Sequence, residues 1–113
     1  MSMDLAVWSQ TPFKLPEQLP EPANWEEHHG EWTFGGEGWQ VLVLEATDEP
    51  ESIVSERLTG AAYVAYVSLE PIGATKDAYV LLERAVRSLA KSSDGIWVDS
   101  FGEAHLANEG SFE

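Results

Sequence analysis

The octapeptide WQVLVLEA, residues 39–46, decides the architecture. In an extended chain Val41 and Val43 point to one face and Leu42 and Leu44 to the other, because strand side chains alternate. Both faces are therefore largely apolar, which predicts a strand in the interior of a sheet. The run ends in Asp48, Glu49 and Glu51, an acidic turn around Pro50. On its other side, Gly35, Gly36 and Gly38 supply a turn that makes 31–34 and 39–46 a hairpin.

Working outward, AAYVAYVSL (61–69) is rich in aromatic and β-branched residues and reads as a strand, ended by Pro71 and Gly73. DLAVW (4–8) reads as a first strand and IWVDSF (96–101) as a last one. Between them lies a helix over 76–91. Ala78, Leu82, Ala85, Val86, Leu89 and Ala90 recur at helical spacing and form one apolar stripe. Thr75 is the expected N-cap, Asp77 suits the first turn, Lys91 suits the last, and Gly95 follows as a stop signal. Glu83 and Arg87 are four apart and can pair on the outer face. The order implies an α+β fold: a mostly antiparallel sheet of about four to five strands with one long amphipathic helix on one face.

Three segments read less sharply. Pro12, Pro16, Pro20 and Pro22 exclude a regular helix or central strand and predict an extended connection wrapping the surface. Residues 25–29 suggest a helical turn capped by Asn24, and 52–58 either a brief helix or a loop closed by Gly60. The polar tail 102–113 is expected to be loose.

With 113 residues the chain fits one domain, 1–113, able to bury a sizeable core. Its 20 acids against 6 bases give a net charge of −14. Nucleic-acid binding needs clustered Lys and Arg, so a nucleic acid is excluded as a partner, and an anionic membrane would repel the chain. No apolar run approaches a membrane span, and no basic n-region with an apolar core marks a secretory signal. There are no cysteines, hence no disulfide framework and no thiolate chemistry.

The acid is unevenly placed. From 15 to 56 there is no Lys or Arg, while eleven carboxylates occur. Four of the six bases, Lys76, Arg84, Arg87 and Lys91, belong to the helix. If the helix covers one face of the sheet, the molecule has an acidic front that steers a basic partner; the alternative is a generally solvated acidic surface. Trp8, Trp39 and Trp97 fall within strands and are expected in the core. Trp25 and Trp32 fall among carboxylates and read equally as core residues or as interface aromatics that meet Arg or Lys.

Motifs for chemistry are sparse. Gly35-Gly36-Glu37-Gly38 is followed by no Lys-Ser/Thr, and its glutamate repels phosphate, so it reads as a hairpin turn. His28 and His29 adjoin Glu26, Glu27 and Glu31, but adjacent histidines in a short loop rarely face one ion, and nothing elsewhere completes a set, His105 in the tail excepted, so no metal and no cofactor is expected in the chain. No nucleophile elbow surrounds a serine. Asp99 is the best single carboxylate for acid–base work, set against a solvent-facing or turn-capping role. No catalytic residue, and no enzyme, is expected.

MDLAVW (3–8), the W-x-F of Trp32 to Phe34, a strand ending in an acidic turn, AYVSLEPI (65–72), an amphipathic helix and GIWVD (95–99) together resemble bacterial immunity proteins of polymorphic-toxin, contact-dependent or type VI secretion systems. The resemblance implies a small, cytoplasmic, non-enzymatic protein that binds one cognate toxin domain with a basic surface and blocks its active site or substrate access. Such families offer no catalytic motif to transfer. The composition places the expected partner-binding residues at Trp25, Glu26, Glu27, Glu31, Trp32, Glu45, Asp48, Glu49, Glu51 and Glu56. Two alternatives share the features: a nucleic-acid mimic that inhibits a nuclease or restriction complex, and a small ligand-binding domain or enzyme with a pocket near Asp99 or His28.

Overall fold

Alternation along the strands builds one sheet with two unlike faces. The computed structural model describes residues 3–20, 25–71 and 73–110. The strands are β1 (Met3–Ser9), β2 (Glu26–His28), β3 (Glu31–Gly36), β4 (Trp39–Thr47), β5 (Tyr63–Glu70), β6 (Ile96–Val98) and β7 (Ala104–Leu106), with a one-turn helix α1 (Ser52–Ser55) and a long helix α2 (Lys76–Ser92). All seven strands pair antiparallel in the order β2-β3-β4-β5-β1-β6-β7. The fold is α+β as expected, but among the described residues the sheet has seven strands rather than four to five. β4 lies inside it, as its two apolar faces require.

One face carries Leu5, Val7, Val41, Val43, Ala65, Val67, Leu69 and Trp97, all buried against α2. The helix contributes the six residues of its apolar stripe, each fully buried. Burying Leu82, Val86 and Leu89 contributes about 1.5–3 kcal/mol apiece relative to exposure. Phe13 and Leu19 enter the same core from the proline-bearing connection, which is not extended throughout as expected but turns over 15–19, the Gln18 amide donating to Lys14 O and that of Leu19 to Pro16 O; Pro22 lies outside the described residues. The connection is pinned by the Phe13 amide donating to Glu45 Oε2 at 2.8 Å and by Ser88 Oγ donating to the Gln18 carbonyl at 2.7 Å.

The helix ends by a device the sequence only hints at. The amide of Gly95 donates to Ala90 O and that of Asp94 to Lys91 O, while Asp94 takes φ 53°. This is the Schellman pattern, with Asp94 and not glycine in the left-handed position. Gly95 is needed for another reason: a Cβ there would lie 2.1 Å from the Trp8 carbonyl oxygen of the neighbouring strand. At the other end Thr75 occupies the N-cap position, but its side chain makes no capping bond.

Several expectations are corrected. Glu26–His28 form a strand rather than a helical turn, because the edge of β3 offers backbone partners, and His29 (φ 54°) and Gly30 (φ 86°) turn the chain; Asn24 lies outside the described residues. The last long strand stops at Val98, where Asp99 begins a turn. Of residues 52–58, expected to be a brief helix or a loop, Ser52–Ser55 form the single-turn α1 and 56–58 turn the chain. The tail, expected to be loose, is tied down through Gly110. β7 pairs with β6, the Trp97 indole N–H donates to the carbonyls of Leu106 and Glu109, and the Arg87 guanidinium donates to those of Ala107, Glu109 and Gly110. Trp8 and Trp97 are buried core residues, but Trp39 is only half-buried.

Candidate partner-binding face and the Asp99 turn

The registers fix what shares the face opposite α2. One row runs across the sheet as Ala46, Val64, Trp8, Ile96 and Leu106. Val54 of α1 with Leu58 and Ala61 covers much of this row, forming a second small core. The next row is His28, Glu31, Leu44, Tyr66, Ala6, Val98 and Ala104. Beyond it come Glu26, Thr33, Leu42, Ser68 and Asp4, then Gly35, Gln40 and Glu70. Among the described residues no helix lies over these rows. Leu44 and Tyr66 are 41% and 38% exposed at their centre, a high value for mid-sheet apolar side chains.

The carboxylates of this open face are Glu26, Glu31, Asp4 and Glu70, with Asp48 just past the end of β4. Asp48 Oδ2 accepts from the Tyr66 hydroxyl at 3.1 Å, Asp4 Oδ1 accepts from Ser68 Oγ at 2.8 Å, and Glu70 Oε2 accepts from Gln40 Nε2 at 3.2 Å. These bonds orient the acids without neutralising them. Partial burial, together with the hydrogen bond to Asp48 and its charge, raises the Tyr66 phenol above its usual pKa. None of the seven strands contains Lys or Arg. Four of the bases lie on α2 behind the sheet, and Arg57 is engaged at the α1–β7 corner by the Ala104 carbonyl and Glu109.

The expected binding residues are thus divided between faces. Glu26, Glu31 and Asp48 belong to the open face, and Glu49, Glu51 and Glu56 flank α1 on the same side. Glu45 and Glu27 belong to the α2 side, since they alternate with Leu44 and Glu26. Glu45 holds the Phe13 amide and is a structural anchor. Trp25 and Trp32 also turn to the α2 side, half-buried against the main core. Trp25 packs on Phe34, with centroids 5.9 Å apart, and donates its indole N–H to the Pro20 carbonyl. The aromatics on the open face are instead Tyr66 and the mostly covered Trp8. Sequence reading passed over Asp4, Leu44, Tyr66 and Glu70. The exposed Tyr66 between the buried Ala65 and Val67 was the signal, through alternation.

A second polar constellation lies at the β6–β7 turn. His105 Nε2 donates to Asp99 Oδ2 at 2.7 Å, while Asp99 Oδ1 accepts the amides of Phe101 and Glu103 at 2.8 and 3.0 Å. Burial pushes the Asp99 carboxyl up, but the bonds from His105 and from the two amides outweigh it and hold the pKa below its usual value. The His105 ring rests on Trp97, centroids 4.5 Å apart. His28, by contrast, faces Glu26 at 3.5 Å in full solvent, and His29 sits in the turn. An open depression at the β3–β4 hairpin is lined by Gly35, Gly36, Trp39, Gln40, Glu70 and Pro71, and neither Asp99 nor His28 borders it.

No protein family, no curated protein and no solved structure matches the chain. Among the described residues no helix is long and apolar enough to cross a membrane.

Proposed function

We propose that this protein is an immunity protein that binds a cognate toxin domain through the open face of its sheet. The observation that carries the reading is the open face, whose strands hold no Lys or Arg and on which Asp4, Glu26, Glu31 and Glu70, with Asp48 at its edge, surround exposed Leu44 and Tyr66, Arg57 standing only at the α1–β7 corner. Such a surface offers apolar anchors at its centre and charge at its rim, the usual division of labour in an interface. Its charge speeds encounter with a basic toxin by roughly 10- to 1,000-fold at low salt. Seating a toxin's basic cleft there would deny that cleft to its anionic substrate.

Imitation of a nucleic acid is disfavoured, because Leu42, Leu44 and Tyr66 interrupt the carboxylates where a phosphate ladder would be continuous. The test is protection in cells. A candidate toxin domain, sought in the neighbouring genes, is co-expressed with the wild-type chain, with Glu31→Lys/Glu70→Lys, and with Tyr66→Ala/Leu44→Ser. Growth is rescued by the wild type and lost with either variant. Rescue undiminished by both, or an affinity unchanged between about 0.1 and 1 M salt, where the screening length falls from about 10 to 3 Å, refutes the reading.

A further inference from the structure

The Asp99 turn has a geometry that the proposed toxin contact does not use. Asp99, Glu103 and His105 each present one ligand atom, and these atoms lie within 4.8 Å of one another. The two inner side chains are mostly buried, Asp99 13% and His105 18% exposed. They are not a solvated acidic patch. We propose that these three residues form a binding site for a divalent transition-metal ion with the ligand preferences of zinc.

The donor set carries the chemical class. One imidazole with two carboxylates suits zinc and its neighbours, whereas magnesium and calcium take oxygen alone. Zinc binds His nitrogen and carboxylate oxygen at about 2.0–2.2 Å, so two ligands at a tetrahedral angle lie about 3.4 Å apart. The Nε2 to Oδ2 distance of 2.7 Å opens by less than an ångström to admit the ion. Glu103 is exposed and needs only a rotamer adjustment to close the third position.

Two of the three ligands, Asp99 and His105, are already held in place, and the turn brings Glu103 beside them. The Asp99 amide donates to the Glu103 carbonyl at 2.9 Å, and the Gly102 amide donates to the Asp99 carbonyl at 3.0 Å. Gly102 has φ 85°, which lets the turn bring Glu103 back beside Asp99. The free oxygen of Asp99 is held by two backbone amides, and the His105 ring is held by Trp97. Such outer bonds are what fix metal ligands in orientation. The ion replaces the proton between His105 and Asp99. The imidazole then carries its N–H on Nδ1.

The experiment is calorimetric titration of zinc and, separately, magnesium into the full chain. The wild type, Glu103→Gln, His105→Gln and His28→Gln/His29→Gln are compared, with circular dichroism as the check on folding. One saturable zinc site is expected, with no magnesium counterpart. It should weaken at least about tenfold in Glu103→Gln, whose exposed side chain is not needed for folding, and be unchanged in His28→Gln/His29→Gln. Absence of saturable zinc binding, equal binding by Glu103→Gln, or loss of binding in His28→Gln/His29→Gln overturns the proposal.

Discussion

Replacing Arg87 by Met tests whether the C-terminal segment is part of the folded unit. Arg87 leaves α2 and donates to three carbonyls, those of Ala107, Glu109 and Gly110, each at 2.9 Å. Its guanidinium also lies 5.8 Å from the centre of the Trp97 ring. A charged donor's bond is worth about 1.5–3 kcal/mol when deeply buried. Here the side chain is 25% exposed and water can reach the freed carbonyls, so about 1 kcal/mol per bond is the better figure. The contact with Trp97 adds about 0.5 kcal/mol. The pair with Glu83 at 3.5 Å adds little, being a surface i,i+4 bridge. The loss for Arg87→Met is then about 3.5 kcal/mol, or roughly 14 °C in midpoint for a domain of this size. Arg87→Lys keeps the charge but not the planar fork, and should lose about half as much. Urea unfolding followed by tryptophan fluorescence reads the change, and hydrogen exchange at the Leu106 and Glu109 amides shows whether the segment opens locally. A loss under about 0.5 kcal/mol with unchanged exchange would mean that the segment is held by something else.

Asp99→Asn should destabilise at neutral pH. The folded carboxyl has a lowered pKa, so its contribution is present above the unfolded value and is lost as pH falls through the folded one; the gap between wild type and variant in a pH series of denaturation curves should therefore close in acid, and a gap that widens there contradicts the clasp. Gly95→Ala places a methyl 2.1 Å from the Trp8 carbonyl oxygen and must spread β1 from β6, at a cost of about 3 kcal/mol or more by thermal unfolding. Tyr66 should titrate above its ordinary pKa in an NMR-detected alkaline series, and Asp48→Asn should bring its midpoint down, since that substitution removes the charge that opposes phenolate formation.

What was legible in the sequence was what local periodicity controls. The stripe on α2 appears as the six buried residues Ala78, Leu82, Ala85, Val86, Leu89 and Ala90, and the helix spans Lys76–Ser92 against an expected 76–91. β4 reads as internal because Val41 and Leu42 are both apolar. β2 and β7 were missed because EEH and AHL have no strand pattern of their own; they form only because β3 and β6 present unpaired edges to them. The acid excess was plain, yet its division between faces was not. That division depends on register: Glu31 pairs with Leu44 and belongs to the open face, while Glu27 pairs with Trp32 and does not. Asp4 and Glu70 lie outside the basic-free stretch and join the face only through pairing of β1 and β4 with β5. The Asp99–His105 bond is invisible for the same reason, since it needs the register that sets His105 beside Trp97.

Grouping like charges on one side of a sheet works against folding, and that gives a final, opposed pair of expectations. Two unit charges 10 Å apart in water repel by about 0.4 kcal/mol before salt screening. Neutralising Asp4→Asn, Glu31→Gln and Glu70→Gln together moves the net charge of −14 by three units towards zero. The amides keep a carbonyl oxygen, so the acceptors for Ser68 and Gln40 survive. The triple variant should therefore be more stable by about a few degrees at low salt, with the gain vanishing near 1 M, where screening acts within about 3 Å. The same variant should associate more slowly with a basic partner, and its rate should depend less on salt. A stability gain joined to a loss of association is what a surface kept acidic for recognition requires. If the variant instead is less stable at low salt, the carboxylates are held by favourable local bonds. The acidity of the open face would then be explained by folding, without any partner.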